Sequence, residues 1–235
     1  MIVKCDKMLI VMNTIIGKRK ETDKACIKEI IYSANAFNTR NWFSDYKMNA
    51  DNLPKSVDSF LKLLSQNKID IVIVGGIALL YYVKTKNKED LDLIVSKDDF
   101  YKISASLRVV ESDENFAKCE TYDGLKVDFL FTDNAIFNYV KKGFCQKRDY
   151  QEGSFYIATV EGLVLMKLYA WADLYLNGTL FNDKYLLTKS LRYKNDIEVL
   201  LLNYEIDLTP LERILKKNLE ASKFGLVENL IKQLS

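Results

Sequence analysis

Apolar positions in this chain fall into short continuous runs between about residues 69 and 131, and into helical stripes after about residue 159. Ile69–Val74 and Leu91–Val95 are too short for helices and rich in β-branched residues, so each predicts a buried strand. Lys126–Phe131 (KVDFLF) predicts another, paired with a strand on the far side of the Tyr122-Asp123-Gly124 turn. Between these runs the spacing becomes helical. A helix opening near Pro54 carries Val57, Phe60, Leu61 and Leu64 on one face, a second runs from Ile77 to Val83, and a third runs from Asp98 to about Leu107. Strands interleaved with helices argue for a sheet layer covered by helices.

The pattern changes after Gly153. Thr159, with Glu161 in the first turn, predicts a capped helix running to about Asn177, and further helical stripes follow at 184–204, 209–219 and 224–234. Three parts are therefore expected: an N-terminal extension (1–50), a sheet-bearing core (51–153) and a helical domain (154–235). The extension has helical spacing over Lys24–Ser33 and a polar stretch with interspersed aromatics over Asn35–Asp51, and it carries no functional reading. There are no repeats and no low-complexity linker, so the later two parts are expected to pack closely.

Composition narrows the chemistry mainly by exclusion. The 235 residues are 49% apolar and 28% charged, with a net charge of +2, which is ordinary for a globular protein and decides nothing about partners. The chain has no histidine, and its four cysteines (5, 26, 119 and 145) are scattered without a CxxC pair. A zinc site or a Ser-His-Asp triad is thereby essentially excluded, and free thiols in a reducing compartment fit best. The apolar run Met8–Ile16 has no small-x-small cleavage site and gives way to Lys18-Arg19-Lys20, and no run reaches the roughly 20 apolar residues of a membrane span. A cytoplasmic protein is expected. Lys84, Lys86 and Lys88 form one basic group and Lys141, Lys142, Lys147 and Arg148 another; on pattern alone both read first as solvated faces.

Chemistry concentrates between Ile71 and Val95. The strand IVIV ends in Gly75-Gly76, thirteen residues follow, and the next strand opens Asp90-Leu91-Asp92-Leu93. Alternate strand residues share a face, so Asp90 and Asp92 stand about 6.6 Å apart on one side of the chain. A third acid, Asp128, lies inside the apolar strand Val127-Asp128-Phe129, where an unpaired charge would cost several kcal/mol. Acids on neighbouring strands beside a glycine turn suit a divalent cation holding a phosphate chain.

These residues resemble the signature of the nucleotidyltransferase superfamily related to DNA polymerase beta: an apolar residue and a Gly pair, a spacer, Asp-apolar-Asp-apolar, then a later apolar-Asp-apolar. Val160-Glu161-Gly162-Leu163, Met166-Lys167-Leu168, and Arg192, Lys194 and Asp196-Ile197 are similar to later motifs of its AbiEii/MenT-like toxin branch, and the resemblance spans roughly residues 56–202. It departs from the pattern at Lys88, where Thr or Ser is common, and at Ile77, which puts no hydroxyl after the Gly pair. The resemblance implies an α+β fold, a mixed sheet with flanking helices followed by a helical domain. It implies an NTP-dependent, pyrophosphate-releasing transferase with Asp90, Asp92 and Asp128 as ligands of two Mg²⁺ ions (or Mn²⁺). Gly75 and Gly76 would admit the nucleotide close to the backbone, with phosphates cradled by N–H groups at the helix N-terminus.

Lys167 lies within an apolar stripe (Leu163, Val164, Ala170, Trp171, Leu174), which suits a side chain facing a core or cleft, with a lysine snorkelling from the stripe edge as the alternative. In the family a helix Lys and a downstream helix Asp complete the active site, so Lys167 would neutralise phosphate charge and Asp196 would orient it or the acceptor. An ordinary surface pair of Asp196 with Arg192 stays open beside that reading. The toxin branch implies addition of nucleotides to tRNA 3′ ends and a cognate antitoxin, while protein AMPylation and aminoglycoside modification use the same core. A non-catalytic, nucleotidyltransferase-like binder and a plain structural α/β domain are the competing expectations.

Overall fold

A computed structural model describes residues 53–83, 91–150 and 153–234. The expectations for residues 1–50, for Lys84, Lys86 and Lys88, and for Asp90 lie outside the described residues. Helix α1 (Leu53–Gln66) buries Val57, Phe60, Leu61 and Leu64, the face its spacing predicts, each contributing roughly 1.5–3 kcal/mol by leaving water. Strand β1 (Val72–Ile73) is only two residues long, and Gly75-Gly76 opens helix α2 (Gly75–Tyr82) where a separate turn is expected from sequence. Strand β2 (Leu91–Val95) leads into α3 (Lys97–Ile103), which Ser96 caps by accepting from Asp99 N.

A short 3₁₀ turn (Ser104–Ser106) ends α3 sooner than the pattern suggests, and β3 (Leu107–Ser112) follows. Strands β4 (Phe116–Thr121) and β5 (Lys126–Phe131) flank the expected turn. Then come α4 (Ala135–Gly143), β6 (Cys145–Tyr150) and β7 (Gly153–Ala158), none of which the sequence reading identifies. The helical part comprises α5 (Val160–Leu180), α6 (Lys184–Asn203), α7 (Thr209–Asn218) and α8 (Ala221–Leu234).

The seven described strands form one mixed sheet in the order β3-β4-β5-β2-β1-β7-β6. β2 runs parallel to β5 and β1 parallel to β7, while the remaining neighbours are antiparallel. The architecture is α+β, a mixed sheet with flanking helices followed by four helices, and the sheet extends through β7 to Ala158. Phe60 of α1 and Phe100 of α3 both pack their rings on Phe129 of β5, at 6.4 and 5.1 Å between centroids, so these helices cover the face that Phe129 presents. By strand alternation, Asp92 and Asp128 lie on the other face.

Tyr82 fastens the sheet to the helices. Its hydroxyl donates to Ala158 O (2.8 Å) and accepts from Gln146 Nε2 (2.6 Å), while its carbonyl accepts from the Tyr204 hydroxyl at the end of α6 (2.8 Å). Burial pushes its phenol well above the ordinary value, so it stays neutral and keeps a proton to donate.

Candidate active site

Asp92 on β2 and Asp128 on β5 are direct partners in the parallel register, so the two half-buried carboxylates start from strands about 4.8 Å apart and share a face. The apolar neighbours Leu91, Leu93, Val127 and Phe129 are almost fully buried on the opposite side, which locks this register: a one-residue slip would bury both acids.

Gly75 stands directly against Asp92. Val74 N donates to Asp92 O (3.0 Å), the chain then turns through φ +63° at Gly75, and α2 begins. A Cβ on Gly75 would overlap the Asp92 carboxylate, so hydrogen is the only side chain that fits, and left-handed φ favours glycine as well. Val74, the N-cap, supplies no side-chain acceptor to the first turn of α2. Backbone donors at a helix start beside a carboxylate pair are a suitable arrangement for a metal-bound polyanion.

Lys118 lies across from Asp128 on β4 and hydrogen-bonds Glu111 at 2.6 Å. That bond, together with the charges of Glu111 and Asp128, holds its ammonium above the usual lysine value. On the buried side of β4, the Cys119 thiol is pushed up to about 11 by burial and then by the negative charge of Asp128.

A second pair forms within the helices. Thr159 caps α5 by accepting from Gly162 N (3.3 Å), as its position predicts. Helix α5 ends at Phe181, Asn182 takes φ +48°, and the Asp183 carboxylate accepts from Tyr185 N and Leu186 N to start α6. The two helices run antiparallel and close, with Leu187 within 3.0 Å of where a Cβ on Gly178 would lie. This hairpin sets Lys167 opposite Asp196, and Lys167 Nζ donates to Asp196 Oδ2 at 2.6 Å. The lysine side chain is only 5% exposed against 22% for Asp196. Its ammonium also sits 5.1 Å from the Tyr193 ring centroid, a cation–π contact that the sequence reading misses although Tyr193 lies three residues before Asp196. Asp196 therefore bonds the lysine 29 residues away, and Arg192 is exposed to solvent.

The structure thus brings the expected residues into two pairs, Asp92 with Asp128 and Lys167 with Asp196. Helix α2, which starts at Gly75, packs against both β2 and α5 and so adjoins the elements that carry each pair. Gly76 is buried in the first turn of α2. Gly162 has a structural reason for its place in the motif, since a Cβ there would lie 2.6 Å from Phe144 O.

Two members of the second basic group are engaged with neighbouring residues. Lys141 bonds the Asp70 carbonyl and carboxylate at 2.7 and 3.2 Å, and Arg148 is half-buried, bonding Gln146 and lying 5.6 Å from the Tyr81 ring centroid.

Carboxylate oxygens are hard donors that suit Mg²⁺, and Asp92 and Asp128 present two of them from adjacent strands on one face, so the residues present fit a divalent cation. Among the described residues no group of three or more His, Cys, Asp or Glu side chains gathers as a metal cluster, the expected third acid, Asp90, being outside them. No helix among the described residues is long and apolar enough to cross a membrane.

No protein-family model matches this chain, and no curated protein matches it. Among solved structures it is similar to an antigenic nucleotidyltransferase-like protein from Paracoccidioides brasiliensis, with 12% identity over 78% of this chain and 89% of that one, at a TM-score of 0.46. It is similar to ANT(2")-Ia in complex with adenylyl-2"-tobramycin, with 15% identity over 77% of this chain and 98% of that one, at a TM-score of 0.42. The solution structure of the antibiotic-resistance factor ANT(2'')-Ia is similar at 14% identity over 75% and 89% of the two chains, with a TM-score of 0.40.

Proposed function

We propose that this chain is a divalent-metal-dependent nucleotidyltransferase that moves a nucleoside monophosphate from an NTP onto a hydroxyl acceptor and releases pyrophosphate. The observation that carries the reading is the register of Asp92 with Asp128, with the Asp92 carboxylate pressed against Gly75 at the start of α2.

In this reading Asp90, Asp92 and Asp128 hold the Mg²⁺ ions. A divalent metal bound there would supply neutralisation of phosphate charge. Gly75 and Gly76 let the triphosphate approach the backbone, and the first N–H groups of α2 orient it. Asp128 accepts the proton of the acceptor hydroxyl. Lys167 meets charge that develops on the transferred phosphoryl group, and Asp196 and Tyr193 hold the ammonium in place. Two sources of support are independent of one another: the sheet geometry of the acids, and the burial of Lys167 against the Asp196 carboxylate. The tRNA 3′ end as acceptor and an antitoxin as partner rest on the sequence resemblance alone.

The test is incubation with each α-labelled NTP, Mg²⁺ and a panel of acceptors (total tRNA, cell protein, aminoglycosides) beside the Asp92→Asn variant. Label that appears on one acceptor only with the intact acid supports the reading and identifies the acceptor class. NTP binding that is unchanged in Asp92→Asn and in EDTA would remove its basis.

A further inference from the structure

A cavity of about 500 Å³ opens between α5, α6 and α8, and none of the residues given a catalytic role above lines it. It begins one helical turn along α5 from Lys167, about 6 Å, where Trp171 lies. Trp171 and Tyr175 stack at 5.2 Å with their planes only 16° apart, and both line the cavity. Trp171 is 6% exposed while Tyr175 is 39% exposed, so the pair forms a rigid aromatic wall that still reaches solvent.

The rest of the lining is mixed in a specific way. Leucines of α6 and α8 complete the apolar walls, whereas Asn229 and Gln233, one turn apart on α8, bring two amide groups, each both donor and acceptor. Lys194 of α6 adds a positive charge. Its present partner is Glu198 at 3.8 Å, a long and half-exposed contact that is worth little and easily exchanged. An apolar compound would leave the two amides and the ammonium unused, and a simple anion would leave the aromatic wall unused. A planar ring with hydrogen-bonding edges and an attached anionic group uses all three, and a volume of this size accommodates such a ligand.

We infer that the cavity between α5, α6 and α8 is a binding site for a planar heterocycle bearing a phosphate or carboxylate, with its ring against Trp171 and Tyr175, its edge on Asn229 and Gln233, and its anion on Lys194. The site stands on its own lining and holds whether or not the carboxylates of β2 and β5 perform transfer.

The experiment is calorimetric titration of the full chain in EDTA with the four nucleoside 5′-monophosphates, the corresponding nucleosides, and ribose 5-phosphate. EDTA keeps the carboxylates from recruiting phosphate through a metal. Monophosphates are expected to bind most tightly, nucleosides more weakly, and ribose 5-phosphate least. Tyr175→Ala should weaken monophosphate binding about fivefold or more, since stacking on an aromatic is worth ~1–3 kcal/mol per base. Lys194→Gln should weaken monophosphates toward the level of nucleosides. Gln233→Ala, on the exposed rim, gives a second probe should Tyr175→Ala melt early, and it should weaken the ring without changing the preference for phosphate. Asp92→Asn should leave all of these affinities unchanged. Absence of binding, equal binding of ribose 5-phosphate, or insensitivity to both Tyr175→Ala and Gln233→Ala would overturn the inference. So would loss of binding in Asp92→Asn, which would move the ligand to the carboxylates and leave the transferase reading intact.

Discussion

The hydrogen of Gly75 and the carboxylate of Asp92 fill one space, and no larger side chain at position 75 can share it. Gly75→Ala therefore meets two penalties: a left-handed φ that costs about 1 kcal/mol in a residue with a Cβ, and a clash with a part of β2 that is fixed by its register. It should melt earlier and lose transfer. In the double variant Gly75→Ala/Asp92→Gly the clash is gone, so part of the stability should return while transfer stays absent. A double-mutant cycle of thermal melts measures the coupling. Strict additivity would mean that the two residues do not contact.

Asp92→Asn and Asp128→Asn should each abolish NTP-dependent transfer and the rise in melting temperature that Mg²⁺ gives the parent chain with NTP. Neither should cost much stability without metal, because each change removes one of two like charges on adjacent strands. Melts with and without Mg²⁺ and NTP check this. A collapse of the metal-free fold in Asp92→Asn would make that carboxylate structural.

The Lys167–Asp196 pair should respond asymmetrically to loss of either partner. Asp196→Ala leaves an almost fully buried ammonium without its carboxylate, and a stranded buried charge costs about 3–5 kcal/mol. Lys167→Met leaves Asp196, whose greater exposure lets water replace the lysine, and puts an apolar side chain among apolar neighbours. Denaturant unfolding should rank Asp196→Ala as the less stable of the two, and both should lose transfer. The opposite rank would mean that Asp196 is the more deeply held partner.

Cys119 and Cys145 supply a pH dependence of known sign. Burial, joined by the charge of Asp128 for the first and of Asp70 for the second, raises both thiols from 9.0 to about 11. An acid whose pKa is raised by folding holds its proton more tightly in the folded state. The associated stability is complete below pH 9 and is lost as pH rises through 11. Melting temperature should fall across that window, and the fall should be shallower in Cys119→Ala. Below pH 9 a thiol reagent should label Cys119 slowly in the native chain and rapidly in urea, because the thiolate is the reactive form.

The sequence was legible where one local cause dominates. The apolar run Leu91–Val95, the apolar face of α1, the Thr159 cap and the apolar stripes of α5 and α6 each depend on residues within a turn or two of themselves. Elements were missed where that local signal is thin. In β3 only Leu107 is buried, so no alternation marks it, and β6 and β7 owe their strand state to each other and to pairing of β7 with β1 across more than 80 residues of chain. Gly75-Gly76 reads as a turn in sequence because glycine punctuates chains, yet a single left-handed residue followed by helix suffices.

For the candidate site the division is similar. The sequence by itself determined which groups are available: acids spaced along strands, a glycine pair before them, and a lysine inside an apolar stripe. Only the tertiary structure decided which of them meet. Parallel pairing of β2 with β5 sets Asp92 beside Asp128, and the tight α5–α6 hairpin gives Asp196 to Lys167 in place of the nearby Arg192. Side-chain chemistry and spacing are properties of short segments, whereas register and partner choice are set by how segments far apart in the chain bury their apolar faces against one another.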